Sequence, residues 1–214
     1  MNTCYLIGAA PCRALPIIRE KGDLIIACDA GFETCARFGV TPDLAVGDFD
    51  SLGRTPEGVQ KISLPVDKDD TDLFYAVKFA MSNDYTRFVI YGALGGARYD
   101  HTLANVHMLS YLSAHRCEGY LVDGDAVVTA VTDAELRFSP ACRGDLGLLA
   151  FSEVCQGVEI LGLRYEMTDG FLSQTDILTV SNRFIGKSAR VAVREGTLTV
   201  FYTGRPSDVT VCRP

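Results

Sequence analysis

The 214-residue chain has no tryptophan, only three histidines and only four methionines. It contains no Cys-x-x-Cys pair, no Gly-x-Gly-x-x-Gly string and no P-loop, so the common signatures of thiol redox centres, zinc ribbons and dinucleotide folds are missing. Basic residues are in the minority, with 20 Lys and Arg against 27 Asp and Glu, a net charge of -7. A protein that grips phosphate backbones or anionic lipid without specificity needs a basic face, so nucleic-acid and membrane-surface partners are not expected. Long apolar runs are also lacking. The uncharged N-terminal stretch, Met1 to Cys12, falls well short of the roughly 18 apolar residues of a membrane span. It also has no basic residue ahead of its apolar part, unlike a secretory signal.

What is present is the composition of a folded protein, 48% hydrophobic and 22% charged. The eight cysteines (4, 12, 28, 35, 117, 142, 155 and 212) lie mostly in apolar runs. Reduced, buried thiols in a cytoplasmic protein are therefore expected rather than a disulfide framework.

Residues 1–133 alternate short apolar runs with helix-length amphipathic stretches. The runs are Cys4–Gly8, Leu24–Cys28, Leu44–Val46, Ile62–Leu64, Phe88–Tyr91 and Gly119–Val122. Continuous apolarity over a few residues marks strands covered on both faces, as in a parallel sheet. Leu73, Ala76, Val77, Ala80 and Met81 form a helical stripe, and Leu103, Val106, Leu109 and Leu112 another over about 100–115. This rhythm predicts a doubly wound, mostly parallel α/β domain. In residues 134–214 the rhythm changes to strand-like runs at 145–151, 158–163, 178–180, 189–193 and 197–202, separated by Gly, Ser, Asn and Asp. A small all-β sandwich is expected there, with 191–201 forming a hairpin that turns at Glu195-Gly196.

Acidic residues collect at the ends of the predicted N-terminal strands. Asp29 follows the second run, Asp48 and Asp50 the third, Asp67, Asp69, Asp70 and Asp72 the fourth, and Asp100 the fifth through a glycine-rich turn at 92–96. Ligands of open parallel sheets bind beyond the carboxyl ends of the strands. Carboxylates gathered there repel and lose solvation unless a cation neutralises them. Hard oxygen donors in an open site suit Mg²⁺, which takes one or two carboxylates and completes its shell with water and phosphate oxygens. Taken singly, Asp69 or Asp70 reads equally well as a helix N-cap, and Asp29 or Asp50 as a turn residue. Gly95 and Gly96 lead into a helix whose N-terminus suits a phosphate. Arg98 and Lys68 can supply cations, and His101 and Asn105 share one helix face. Asp48-Phe49-Asp50 is also a D-x-D string, compatible with a metal-dependent sugar-nucleotide enzyme.

The ordered strings Asp29-Ala-Gly31, Pro42-Asp43-x-x-x-Gly47-Asp-Phe-Asp-Ser51, Lys68-Asp-x-Thr-Asp72, Gly95-Gly-x-x-x-Asp100-His101-x-x-x-Asn105 and Thr179-x-Ser181-Asn182 closely resemble the thiamine pyrophosphokinase family. The resemblance spans nearly the whole chain. It implies an α/β domain followed by a β-sandwich, and transfer of pyrophosphate from ATP to thiamine with Mg²⁺, giving thiamine diphosphate and AMP. It further implies a homodimer with thiamine between the α/β domain of one subunit and the β domain of the other. On this resemblance Asp48, Asp50 and Asp72 match metal and catalytic positions, and Asp100 an acidic residue at the substrate. Asp29, Gly31, Lys68, Asp69, Thr71, Gly95, Gly96, Arg98, His101 and Asn105 fall on the nucleotide side, and Thr179, Ser181 and Asn182 on the thiamine side. The chain departs from the pattern in carrying Ala30 where many members have glycine. With no tryptophan, stacking on thiamine falls to tyrosine or phenylalanine, with Tyr165 and Phe184 as candidates. A binding protein for thiamine or nucleotide without turnover is the alternative of another class.

Overall fold

The computed structural model describes residues 2–49, 58–67 and 69–214; Asp50 and Lys68 lie outside them. The chain divides into two compact units, residues 1–108 with 121–124, and residues 109–120 with 125–214.

The first unit is α/β. Its elements are β1 (Thr3–Ile7), β2 (Leu24–Cys28), α1 (Gly31–Arg37), β3 (Leu44–Gly47), β4 (Gln60–Ser63), α2 (Asp72–Ser82) and β5 (Arg87–Tyr91). Helix α3 (Tyr99–Ala114) and strand β6 (Glu118–Asp123) each contribute to both units. The sheet of the first unit runs in the order β5-β1-β2-β3-β4, with every one of these neighbours parallel. Near-continuous burial of β1, β2, β3 and β5 accounts for their uninterrupted apolar runs. Strand β4 is the exposed exception. Leu6, Ile7, Ile26, Phe88 and Ile90 are the fully buried centre, each side chain stabilising the fold by roughly 1.5–3 kcal/mol. The chain progresses outward from β1 to β4, then returns to the other side of β1 for β5. The strand order thus reverses between β1 and β5, the place where such sheets open a crevice.

Helix α2 begins where the sequence predicts, but its cap is Thr71, whose Oγ1 accepts the Phe74 N–H at 3.2 Å. Asp69 and Asp70 are not the cap. Asp70 instead pairs with Lys78 at 2.6 Å.

The second unit is all-β apart from its share of α3 and a single 3-10 turn at Pro206–Asp208. It contains β7 (Ala126–Thr132), β8 (Glu135–Phe138), β9 (Asp145–Ala150), β10 (Val154–Leu161), β11 (Met167–Ser173), β12 (Asn182–Arg183), β13 (Ala189–Ala192), β14 (Thr197–Thr203) and β15 (Val209–Cys212). The orders β12-β9-β14-β7 and β11-β10-β13-β8-β15 form two antiparallel layers. Phe138 of β8 meets Tyr202 of β14 edge-on at 5.2 Å and Phe184 at 5.3 Å, closing a sandwich core.

Two sequence expectations are corrected here. Residues 191–201 do not form a hairpin, because β13 pairs with β10 and β8 while β14 pairs with β7 and β9. The turn residues bond outward: Glu195 O accepts from Gln156 N–H at 2.9 Å, and Gly196 N–H donates to Asp133 Oδ1 at 2.8 Å. The chain crosses from one layer to the other, which buries the apolar residues of both runs. Residues 178–180 are turn rather than strand, with Leu178 and Val180 exposed.

Candidate active site

A pocket of about 670 Å³ opens at the carboxyl ends of the parallel strands and is lined wholly by the first unit. That volume lies within the range of small-molecule sites. Loops after all five strands reach it: Gly8–Pro11 after β1, Asp29 after β2, Asp48 after β3, Asp69–Leu73 after β4 and Gly92–Arg98 after β5.

Close backbone approach holds these loop starts together. Gly8 N–H donates to Tyr91 O at 2.8 Å and Ala10 N–H to Gly92 O at 2.9 Å. A Cβ on Gly8 would lie 2.5 Å from Gly92 O, and one on Gly31 only 2.0 Å from Ile7 O. Glycine at 31 therefore answers a need for space rather than for an unusual φ, and it lets α1 start directly against β1. Ala30 causes no such conflict, since it sits in ordinary helical geometry ahead of α1.

The carboxylates are placed by strained turns. Asp29 stands at φ 53 with its N–H bonded to Val46 O at 2.9 Å, and Phe49, buried at φ 60, turns the chain just after Asp48. Non-glycine residues in the left-handed region are uncommon, and two at neighbouring strand ends, one in the pocket wall and one next to it, indicate a constrained site. Asp72 is the first residue of α2, where the helix dipole favours a negative charge. Asp29, Asp48 and Asp72 are partly buried, whereas Asp69 is exposed.

The opposite wall is the turn after β5. Gly92, Gly95 and Gly96 have φ of 62, 72 and 81, which exposes backbone in a way side-chain-bearing residues resist. Helix α3 anchors this turn: Asn105 Nδ2 donates to Ala93 O at 2.8 Å and Thr102 Oγ1 to Gly95 O at 3.2 Å. Arg98, His101 and Asn105 line the pocket from this side.

Of the residues singled out in the sequence, the pocket gathers Asp29, Asp48, Asp69, Thr71, Asp72, Gly95, Gly96, Arg98, His101 and Asn105. Gly31 supports the wall from behind, while Asp50 and Lys68 lie outside the described residues. Asp100 is not part of the lining; it is exposed and held by Arg98 through Nε at 3.0 Å and Nη2 at 2.8 Å. The Arg98 hydrogen bonds pull its carboxyl down to about 2. Thr179, Ser181 and Asn182 belong to the second unit. The sequence reading missed the Gly8–Pro11 loop, Cys28 and Val66, all of which line the pocket. The glycine closing the first apolar run was the available signal for the loop, but only the sheet order reveals β1 as the central strand.

Family comparison meets this geometry at both ends of the chain. The model of the thiamin pyrophosphokinase catalytic domain matches residues 16–121, and that of the thiamin pyrophosphokinase vitamin B1 binding domain matches residues 135–198. The chain belongs to the thiamin pyrophosphokinase family. It is 24% identical over 208 residues to the thiamine pyrophosphokinase of Bacillus subtilis (strain 168), covering 92% of this chain and 97% of that one. Among solved structures, the Bacillus subtilis thiamine pyrophosphokinase superposes with a TM-score of 0.83 at 22% identity, covering 95% and 99% of the two chains. The Geobacillus thermodenitrificans thiamin pyrophosphokinase gives 0.79 at 24% identity, covering 97% and 100%. These structural likenesses establish a shared fold, a mostly parallel α/β sheet with helices and an antiparallel β unit. No helix among the described residues is long and apolar enough to cross a membrane. All eight cysteines are free thiols, seven of them buried.

Proposed function

We propose that this chain catalyses the reaction of its family, transfer of pyrophosphate from ATP to thiamine with release of AMP. The observation that carries the proposal is the two-sided pocket, with Asp29, Asp48 and Asp72 on one wall and the glycine turn and Arg98 on the other. Carboxylates facing a polyphosphate require a cation between them. Among the described residues no three acidic, His or Cys side chains are gathered to hold a metal unaided. One or two carboxylates with remaining positions for water and phosphate fit the coordination habit of Mg²⁺, and they would come from Asp48, Asp50 and Asp72. Bound there, Mg²⁺ would offset the charge of the polyphosphate.

The chemistry demands mainly alignment. The thiamine hydroxyl oxygen forms a bond to the β-phosphorus, the bridging bond to the α-phosphate breaks, and the hydroxyl proton passes to a carboxylate. We assign that proton to Asp72, because Asp72 lines the pocket while Asp100 lies outside the lining and is engaged by Arg98. Glycine-turn N–H groups, Arg98 and Lys68 would bind phosphate, with His101, Thr71, Asp69 and Asn105 shaping the nucleotide side.

We assign residues 1–133 to ATP and Mg²⁺ and residues 134–214 to thiamine, through the 179–182 segment. A homodimer accounts for the exposed Phe171, Ile177, Leu178 and Ile185 of the second unit, which are large apolar side chains on a water-facing surface. Eight free thiols support a reducing, cytoplasmic location. Incubation with thiamine, ATP and Mg²⁺ should yield thiamine diphosphate and AMP in equal amounts. Consumption of a sugar nucleotide without any need for thiamine would overturn the assignment, as would thiamine binding with no product.

A further inference from the structure

The three polar residues of the 179–182 segment face different ways. Thr179 is buried and its Oγ1 donates to Leu148 O at 2.6 Å, while Leu148 N–H returns a bond to Thr179 O at 3.2 Å. Ser181, at φ 62, is exposed. Asn182 is 3% exposed, and both ends of its carboxamide bond to backbone. Oδ1 accepts the N–H of Tyr165 at 3.0 Å and of Arg183 at 2.8 Å, and Nδ2 donates to Tyr165 O at 2.7 Å.

These bonds continue a short ladder. Leu163 bridges Phe184, and Arg164 N–H donates to Arg183 O at 3.0 Å. At the next rung the Asn182 side chain takes the place of a peptide group, Nδ2 donating to Tyr165 O and Oδ1 accepting from Tyr165 N–H. Aspartate lacks the donor, and serine is too short to span both atoms. The consequence falls on Tyr165. Its N–H and C=O are both fixed, yet the residue is 60% exposed, with the Arg164 guanidinium 5.5 Å from the ring centroid. Phe184, the other aromatic candidate, is 5% exposed and packed on Phe138. An aromatic ring presented to water from a fixed backbone, its face open to cation–π contact, is suited to a cationic heteroaromatic ligand.

We propose that Asn182 is a positioning residue that acts on thiamine through Tyr165, fixing the ring on which thiamine stacks, and does not itself touch the substrate. This rests on the assignment of the 179–182 segment to thiamine.

Steady-state kinetics on the full chain test it, with thiamine KM, ATP KM and kcat measured for Tyr165→Ala, Tyr165→Phe, Asn182→Ala, Asn182→Asp and the Tyr165→Ala/Asn182→Ala double variant. Tyr165→Ala should raise thiamine KM by about threefold to thirtyfold, the range of a stacking or cation–π contact. Tyr165→Phe should restore most of that loss, and ATP KM should not move in any variant. Either Asn182 variant should raise thiamine KM alone but add nothing once Tyr165 is alanine. Asn182→Asp, nearly isosteric, keeps the test available if Asn182→Ala does not fold. A further rise in the double variant would mean direct contact by Asn182 and overturn the proposal. So would a normal thiamine KM in the Asn182 variants while Tyr165→Ala is impaired. Unchanged thiamine KM in all variants, with turnover intact, would instead remove the thiamine assignment of this segment.

Discussion

In the α/β unit, the polar side chains of the candidate site follow four separate strands, β2 to β5, and gather at one pocket. In the β unit, two of the three polar side chains of the 179–182 segment turn back onto their own backbone, at Leu148 and Tyr165. The first arrangement concentrates like charge at the mouth of a pocket. The second is complete without a ligand, and leaves an exposed hydroxyl and an exposed ring as its offer to a substrate. Residue types that look equally ligand-like in sequence thus divide into groups gathered at a pocket and groups that shape the chain. Whether a hydrogen-bonding group is free to bind depends on where the neighbouring backbone still lacks a partner.

The largest effects should come from the pocket carboxylates. Asp48→Asn and Asp72→Asn should lower kcat by roughly 100-fold to 1000-fold, since each removes charge that opposes the polyphosphate. Circular dichroism should stay native in both. Asp48→Asn should melt at or slightly above wild type, because one of several repelling carboxylates is gone. Asp72→Asn gives up its charge at the start of α2 and should melt slightly lower. AMP release from ATP and thiamine is the measurement. Near-normal rates in both variants would erase the contrast between the two units, leaving the acidic wall as plain structure.

Gly31→Ala tests the support behind that wall. Its Cβ would sit 2.0 Å from Ile7 O, a backbone atom that cannot rotate away. Overpacking of this kind costs about 1–3 kcal/mol or more, so the melting temperature should fall by roughly 5–10 °C or the protein should fail to fold. Gly95, whose Cβ would meet nothing within 4 Å, answers only a conformational need at φ 72. Gly95→Ala should therefore cost about 1 kcal/mol. Thermal unfolding of the pair separates the two reasons for glycine.

Within the β unit, Ser181→Ala and Thr179→Val should part company. Ser181→Ala should raise thiamine KM by roughly twofold to tenfold with ATP KM and stability unchanged, the loss of one hydrogen bond. Thr179→Val leaves the Leu148 carbonyl without its side-chain donor and should instead reduce stability by about 1 kcal/mol. If Thr179→Val altered thiamine KM more than Ser181→Ala did, the division between shaping and binding groups would be misplaced.

The smallest effect concerns thiols. Burial raises the Cys35 thiol to about 12 and pushes the Cys4 and Cys28 thiols well up too, so all three remain protonated at pH 8. Cys212, on the last strand of the β unit, is partly exposed. Alkylation of native protein at pH 8, read by mass spectrometry, should label Cys212 and spare Cys4, Cys28 and Cys35, whereas denatured protein should react at all eight cysteines.

Much of the α/β unit was legible because its signals are local and redundant. Strands covered on both faces read as apolar runs, as in Leu24–Cys28, and α2 shows its stripe from Leu73 to Ala80. The acidic residues follow those strands directly, so the parallel-sheet rule was enough to gather Asp29, Asp48 and Asp72. The β unit was less legible. The apparent hairpin at Glu195-Gly196 satisfies every local rule for one, yet Glu195 and Gly196 bond to Gln156 and Asp133 instead. Nothing within 191–201 records that preference.

Sequence by itself determined the family, the two-part architecture, and the acidic strand-end site with its glycine turn. These depend on periodicity, composition and residues close along the chain. Tertiary structure decided that β1 is the central strand whose loop lines the pocket. It also decided that Asp100 is engaged by Arg98 and that Thr71, not Asp69 or Asp70, caps α2. Finally, it closed Asn182 onto Tyr165 while packing Phe184 into the core. Each of these turns on which donor meets which acceptor, or which side chain finds room, and such contacts are settled only when strands far apart in the chain are brought side by side.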